Sequence, residues 1–224
     1  MIEEILPPAA AAADTFEDAQ GAALFPAEEA AISRAVGKRR REFTTARACA
    51  RDALARLGVP AAPIVPGERG APQWPPGVVG SMTHCRGYRA AAVARRRDLV
   101  TIGLDAEPDD ALPDRVLDAI ITAGERAWLT ELMTAQPQMS WDRLLFSAKE
   151  SVYKAWFPLT GRWLGFKDAA ITVSAADGTF TASLLVPGPA VNGVTLTSFA
   201  GRWLARNGLV VTAIAVPATS SGPT

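Results

Sequence analysis

Val100-Thr101-Ile102-Gly103-Leu104-Asp105-Ala106-Glu107-Pro108 is the stretch on which the organisation of the chain turns. Its apolar, β-branched start predicts a strand over 100–104, and the run ends in two carboxylates and a proline. Upstream, a helix is expected over 38–57, because Phe43, Ala46, Ala50, Leu54 and Leu57 recur at helical spacing and Gly58 follows. A Pro- and Gly-rich loop over 59–77 leads to two further strands, 78–81 and 89–94. Downstream the pattern repeats. Helices are expected over 113–121, 124–133 and 140–156. Strands follow over 169–174, 178–186, 193–204 and 209–215, the last after the Asn207-Gly208 turn. Helices then strands, twice over and without βαβ alternation, predict an α+β protein. Its halves, 1–104 and 105–224, should join at the quoted stretch. Pro7-Pro8 with the alanines before Asp14 reads as a mobile or irregular arm, and Pro217 to Thr224 as a disordered tail.

The 224 residues suffice to bury a sizeable core without cross-links. Lysine plus arginine and aspartate plus glutamate both number 23, so the formal net charge is zero. A dedicated nucleic-acid binder carries a basic excess, and none exists here. Cys49 and Cys85 are the only cysteines, too few for a disulfide framework or a Cys-x-x-Cys zinc site. No apolar run is long enough to span a bilayer, and Met1-Ile2-Glu3-Glu4 is acidic where a secretory leader is basic. A cytoplasmic protein with no membrane or nucleic-acid partner is expected.

Four groups of residues can carry chemistry. If the strand continues through Asp105, the side chains of Asp105 and Glu107 project to the same side. Carboxylates so placed repel unless a cation lies between them, and a hard divalent ion, Mg²⁺ above all, suits them. An acidic strand end with no ligand is the plainer alternative. In Lys149-Glu150-Ser151-Val152-Tyr153-Lys154, Glu150 and Lys154 are helical neighbours, and Glu150, Tyr153 and Lys154 can all face one cleft. The alternative is a solvated surface pair, but the apolar and aromatic flanks make an unused charge costly. On the arginine-rich helix, Arg40, Arg47 and Arg51 share a stripe with Arg39 nearer the core edge, and guanidinium forks suit phosphate oxygens. Gly80-Ser81-Met82-Thr83-His84-Cys85 carries two hydroxyls and the one histidine of the chain, and Ser81, Thr83 and the backbone at Gly80 can all donate to a phosphate. Triad, Walker and dinucleotide-binding patterns are absent. Together these groups call for a polyphosphate substrate.

The series Arg39-Arg40-Arg41-Glu42-Phe43 with Arg47, Gly80-Ser81-Met82-Thr83-His84, Gly103-Leu104-Asp105-Ala106-Glu107, and Lys149-Glu150-Ser151 with Lys154 resembles the 4'-phosphopantetheinyl transferase superfamily. Tyr153 through Phe166 is similar to its actinobacterial branch, and the likeness runs from about residue 15 to 216. The resemblance implies a pseudo-twofold α+β monomer of two similar halves, with coenzyme A in the cleft between them. It implies Mg²⁺-dependent transfer of the phosphopantetheine arm to a serine of apo acyl or peptidyl carrier proteins, with release of 3',5'-ADP. Such carriers serve polyketide, nonribosomal peptide, lipid or siderophore synthesis.

Residue by residue, Asp105 and Glu107 match the family's metal ligands, and the Ala106 carbonyl can add another. Lys149 and Glu150 match its Lys-Glu motif, with Lys154 supplying further positive charge. Glu150 is either the general base or a third metal ligand. Thr83, His84, Arg39 and Arg47 match positions that hold the 3'-phospho-ADP part, with Ser81 beside them. The helical stripe favours Arg40 where the resemblance favours Arg39, and Arg39 is preferred. Arg69 stands where relatives often have lysine. Tyr153 and Trp163 are expected to wall a groove for the pantetheine arm, unless Trp163 is core. The chain departs from the pattern at Phe146, where relatives often have tryptophan, and at Pro66, where some have a basic residue. A non-catalytic coenzyme A or nucleotide-binding module of the same fold is the alternative reading.

Overall fold

In the computed structural model, which describes residues 1–218, a 3-10 turn at Ile2–Ile5 leads into strand β1 (Ala10–Thr15). A short helix α1 (Pro26–Ala31) and the long α2 (Gly37–Arg56) follow, then strands β2 (Val78–Cys85) and β3 (Tyr88–Arg95). These three strands form an antiparallel sheet in the order β1-β3-β2. The alanines expected to form an irregular arm are therefore a sheet edge, with Ala10 to Thr15 in register with Ala94 to Arg89. Small side chains suit that place, because α2 lies directly on the sheet. Ala50, Ala53 and Leu54 of the helix bury themselves against Ala13, Val78, Ala91 and Val93.

The second half begins earlier than residue 105. Strand β4 (Leu99–Pro108) runs unbroken through both carboxylates and belongs to the second sheet, so the halves part at the turn between Arg95 and Leu99. Three helices follow: α3 (Asp114–Ile120), α4 (Ala123–Ala135) and α5 (Trp141–Thr160). A 3-10 turn at Phe166–Asp168 leads to β5 (Ala169–Ser174) and β6 (Thr179–Leu184). A two-stranded hairpin, β7 (Ala190–Val191) and β8 (Val194–Thr195), interrupts the expected strand over 193–204. Strands β9 (Ser198–Arg206) and β10 (Leu209–Pro217) close the sheet, whose order is β4-β10-β9-β6-β5. The expected tail loses its first residues to this sheet, since Pro217 ends β10 and the Ala218 N–H donates to the Asp98 carbonyl at 2.9 Å. The rest of that tail, 219–224, lies outside the described residues.

Three cores result. One lies under α2 and one under α5, where Trp141, Leu144, Leu145, Val152 and Trp156 pack on the second sheet. The third is shared between the halves, with Ala90, Ala92 and Ala94 meeting Ile102, Leu104, Ala106 and Val211. At the seam, edge strands β2 and β4 face one another without a backbone ladder. Hydroxyls stitch them instead: the N–H groups of Leu104 and Ala106 each donate over 3.1 Å, to Ser81 Oγ and Thr83 Oγ1 respectively. These bonds satisfy donors that an open sheet edge would leave unpaired. No helix among the described residues is long and apolar enough to cross a membrane.

Candidate active site

Alternation along β4 sends Ile102, Leu104 and Ala106 into the shared core and turns Thr101, Gly103, Asp105 and Glu107 toward α5. Gly103 makes this possible, because a Cβ there would stand 1.9 Å from the Ser151 carbonyl oxygen. The close approach brings Lys154 onto the strand. Its ammonium donates to Asp105 Oδ1 at 2.7 Å and to the Leu104 carbonyl at 3.0 Å. Thr83 donates to the same Oδ1 at 3.3 Å, while the buried Oδ2 has no partner. Glu107 meets Arg143 of α5 at 3.2 Å, and Arg143 is itself anchored on the Asp110 and Ala111 carbonyls.

Burial, then the nearby Asp105 charge, pushes the Glu107 carboxyl up to about 7. The same causes raise Glu150, against the pull of Lys154. Among the described residues no three His, Cys, Asp or Glu side chains stand together as a ready metal cage. The donors fit a more open arrangement. Asp105 carries a buried unpartnered oxygen, its charge opposes those of Glu107 and Glu150, and a hard divalent cation needs few protein ligands. The Ala106 carbonyl leaves the β4–β10 ladder on the same side as its N–H, toward Thr83.

Lys149 borders a small cavity with Glu150 and Tyr153, but its ammonium is turned away from these carboxylates. Its ammonium pairs with Glu125 at 2.9 Å and donates to the carbonyls of Phe166 at 2.7 Å and Ala169 at 3.0 Å. All three of its hydrogens are used, in a place with almost no exposure. Glu125 is equally committed, accepting the N–H groups of Thr122 and Ile171. Sequence reasoning missed Glu125, although Thr122-x-x-Glu125 is a legible capping pattern. It also missed Arg143, for which no spacing signal existed.

Beside the carboxylates lies a cavity of about 520 Å³, bordered by Arg69, Trp74, Met82, Tyr153, Lys154 and Phe157. A smaller one of about 140 Å³ adjoins it, walled by Tyr153, Trp163, Leu164 and Phe166, and Glu150 borders both. Trp163 is 61% exposed, so it is not a core residue. Its ring lies 5.0 Å from that of Tyr153, and the Arg69 guanidinium stands over it at 5.4 Å. The Tyr153 hydroxyl is buried without a partner.

On the other side of the large cavity is a cationic pocket of about 440 Å³, lined by Ser33, Arg34, Arg39, Arg47, Pro66 and His84. Arg39 and His84 Nε2 stand 2.6 Å apart. Burial, then the Arg39 charge, lowers the His84 pKa, so the ring is neutral at pH 7 and Nε2 accepts from Arg39. Arg47 is buried, its Nε on the Ile64 carbonyl at 2.9 Å and its guanidinium over the Phe43 ring. Desolvation brings its pKa down to about 10. The helical stripe misplaced the other arginines, since Arg40 pairs with Glu29 and Arg51 with Glu28.

Thr83 corrects the expectation of a phosphate donor, because its hydroxyl accepts the Ala106 N–H and gives its own hydrogen to Asp105. Ser81 accepts the Leu104 N–H at the seam and borders the large cavity. Ser33 and Arg34 went unnoticed because they lie in the turn between α1 and α2, where periodicity carries no information.

A molecule of two halves, with a carboxylate–ammonium cluster between a cationic pocket and an aromatic groove, has the layout of an enzyme for a long phosphorylated substrate. The family model for the 4'-phosphopantetheinyl transferase N-terminal domain matches residues 27–94, and that for the 4'-phosphopantetheinyl transferase superfamily matches 101–203. The interval between the two contains the turn where the sheets part. The chain is 57% identical over 221 residues to 4'-phosphopantetheinyl transferase Svp of Streptomyces mobaraensis, which covers 97% of this chain and 90% of that protein. It is 52% identical over 223 residues to 4'-phosphopantetheinyl transferase Npt of Nocardia iowensis, covering 96% and 99%. Enterobactin synthase component D of Salmonella typhimurium is more distant, 32% identical over 192 residues and covering 83% and 77%. The chain belongs to the 4'-phosphopantetheinyl transferase superfamily.

Proposed function

We propose that this protein moves the 4'-phosphopantetheine arm of coenzyme A onto a serine hydroxyl of an apo acyl or peptidyl carrier protein, releasing 3',5'-ADP, and that it works as a cytoplasmic monomer. One observation carries the reading. The three cavities adjoin in series across the seam and share walls: Gly70, Pro72 and Met82 join the cationic pocket of the first half to the large cavity, and Glu150 and Tyr153 join that cavity to the aromatic groove of the second. Coenzyme A has the same order of parts, a phosphorylated nucleotide, a pyrophosphate and a largely neutral arm.

In this reading Arg39, Arg47 and His84 take the 3'-phosphate, and Arg69 and Lys154 face the pyrophosphate. Tyr153 and Trp163 wall the arm, and the unpartnered Tyr153 hydroxyl answers one of its amides. Asp105 and Glu107 would hold Mg²⁺, with the Ala106 carbonyl as a further oxygen ligand; when bound, the ion would offset charge that develops on the pyrophosphate. Glu150 takes the serine proton as the serine oxygen attacks the β-phosphorus and the bond to 3',5'-ADP breaks. Its raised pKa makes it a better base than an exposed carboxylate. Lys154 supplies fixed positive charge at the same point.

The test mixes an apo carrier protein with this protein, coenzyme A and Mg²⁺, and follows the carrier by mass spectrometry. Gain of the phosphopantetheine mass is expected. Asp105→Ala should nearly abolish the gain. Glu150→Gln should keep coenzyme A affinity and lose about 10²-fold or more in turnover. Coenzyme A binding without any mass gain would favour a non-catalytic module instead.

A further inference from the structure

Glu28 lies outside the cleft, in α1, and is fully buried. None of the transfer chemistry uses it. A carboxylate with no exposure needs its oxygens answered, and the partners of Glu28 are informative. Its Oε1 accepts the Ile64 N–H at 2.8 Å, and its Oε2 accepts the Phe25 N–H at 2.9 Å. Arg51 donates to both oxygens, at 3.3 and 3.1 Å. Arg47 Nε stands 4.0 Å from Oε1 and donates to the Ile64 carbonyl. Ile64 is thus gripped at both ends, by Glu28 at its N–H and by Arg47 at its carbonyl. Two residues further on, Pro66 borders the cationic pocket together with Arg47.

We propose that Glu28 is a positioning residue for this pocket: it fixes Arg47 and the Ile64–Pro66 wall so that they present a preset cradle to a phosphate dianion, without touching the ligand. The proposal rests on reading the cationic pocket as the 3'-phosphate subsite. The electrostatics agree with the geometry. Burial alone works against a charged Arg47, and the negative charge of Glu28 opposes that loss. Arg51 has its own carbonyl partner at Ala23, 2.8 Å away, and partial access to solvent, so it depends on Glu28 less than Arg47 does.

Coenzyme A and dephospho-coenzyme A, compared as substrates, test the proposal. Wild type should prefer coenzyme A in KM by on the order of tenfold, the scale of one charge-assisted contact. Glu28→Gln keeps the shape and loses the charge. It should lose most of that preference, with the loss falling on KM for coenzyme A rather than on kcat. Combined with Arg47→Ala it should add little, because both changes remove one contact. Equal handling of the two substrates by wild type would overturn the 3'-phosphate reading itself. A discriminating wild type beside an equally discriminating Glu28→Gln would overturn the positioning role, whatever the change in melting temperature. If Glu28→Gln does not fold, Glu28→Asp keeps the charge but draws it back by one methylene. That variant must also lose discrimination, and retained discrimination would again overturn the role.

Discussion

A buried ammonium is tolerable when its hydrogens are all taken, and Lys149 meets that condition while Lys154 does not. Lys154 has two protein acceptors and so keeps one hydrogen for the cleft. Lys149→Ala would strand Glu125, at a cost of about 3–5 kcal/mol for a broken buried pair. Its melting temperature should fall sharply, whereas Lys154→Ala should melt near wild type and lose turnover. A Lys149→Ala protein that melts normally yet turns over poorly would put Lys149 back on the substrate. Glu107 makes a second prediction. Its folded pKa of about 7 lies above its ordinary 4.5, so between those values the native state holds a proton that the unfolded state has released. That contribution destabilises the metal-free protein progressively as pH rises from about 4.5 through 7. Glu107→Gln should flatten this part of the melting profile, and Mg²⁺ should raise the wild-type melting temperature more at pH 7.5 than at pH 5.5. An unaltered slope in the variant would refute the assignment. At this scale the sequence was legible where spacing fixes direction. Asp105 and Glu107 share a side because strand residues two apart must. The fate of Lys149 and of the Ser81 and Thr83 hydroxyls was not legible, because their partners come from elements at least 17 residues away.

At the scale of elements, the aromatic wall depends on the turn after α5. The helix ends at Gly161, whose φ of 63° suits glycine, and the chain then sets Trp163 against Tyr153. Because Trp163 is mostly exposed, Trp163→Ala should cost far less than the 3–5 kcal/mol of a core tryptophan. It should raise the KM for coenzyme A and barely move inhibition by 3',5'-ADP, which lacks the arm. A large melting loss with an unaltered KM would discard the groove. The amphipathic helix α2 could be read from its periodicity almost to the residue, and α5 except for its last turn, which carries Pro158 and runs on to Thr160. Strand β1 could not. Alanine favours helix and has little strand propensity, and only pairing with β3 makes 10–15 extended. The junction between the halves was misplaced for a related reason. The apolar run of β4 looks like a third strand of the first sheet, and nothing local says that its partner is β10.

That partnership governs the whole molecule. Strand β4 pairs along almost its full length with β10, and these are the chain's most distant neighbours in sequence within that sheet. A protein cut before Leu209 leaves Ile102, Leu104 and Ala106 on an edge with no ladder on either side. Such a truncation should be recovered mainly as aggregate, and its soluble fraction should transfer nothing; a soluble, active truncation would mean that β10 is dispensable. During synthesis the same pairing imposes a waiting time. About 100 residues separate Pro108 from Leu209, which at roughly 5–20 residues per second is on the order of 5–20 s. Over that interval the first sheet can already form around α2, while Asp105 and Glu107 sit on a strand that has the Ser81 and Thr83 hydroxyls beside it but no ladder partner. The strand that carries both carboxylates therefore waits for its ladder until a segment about 100 residues downstream of it has been made.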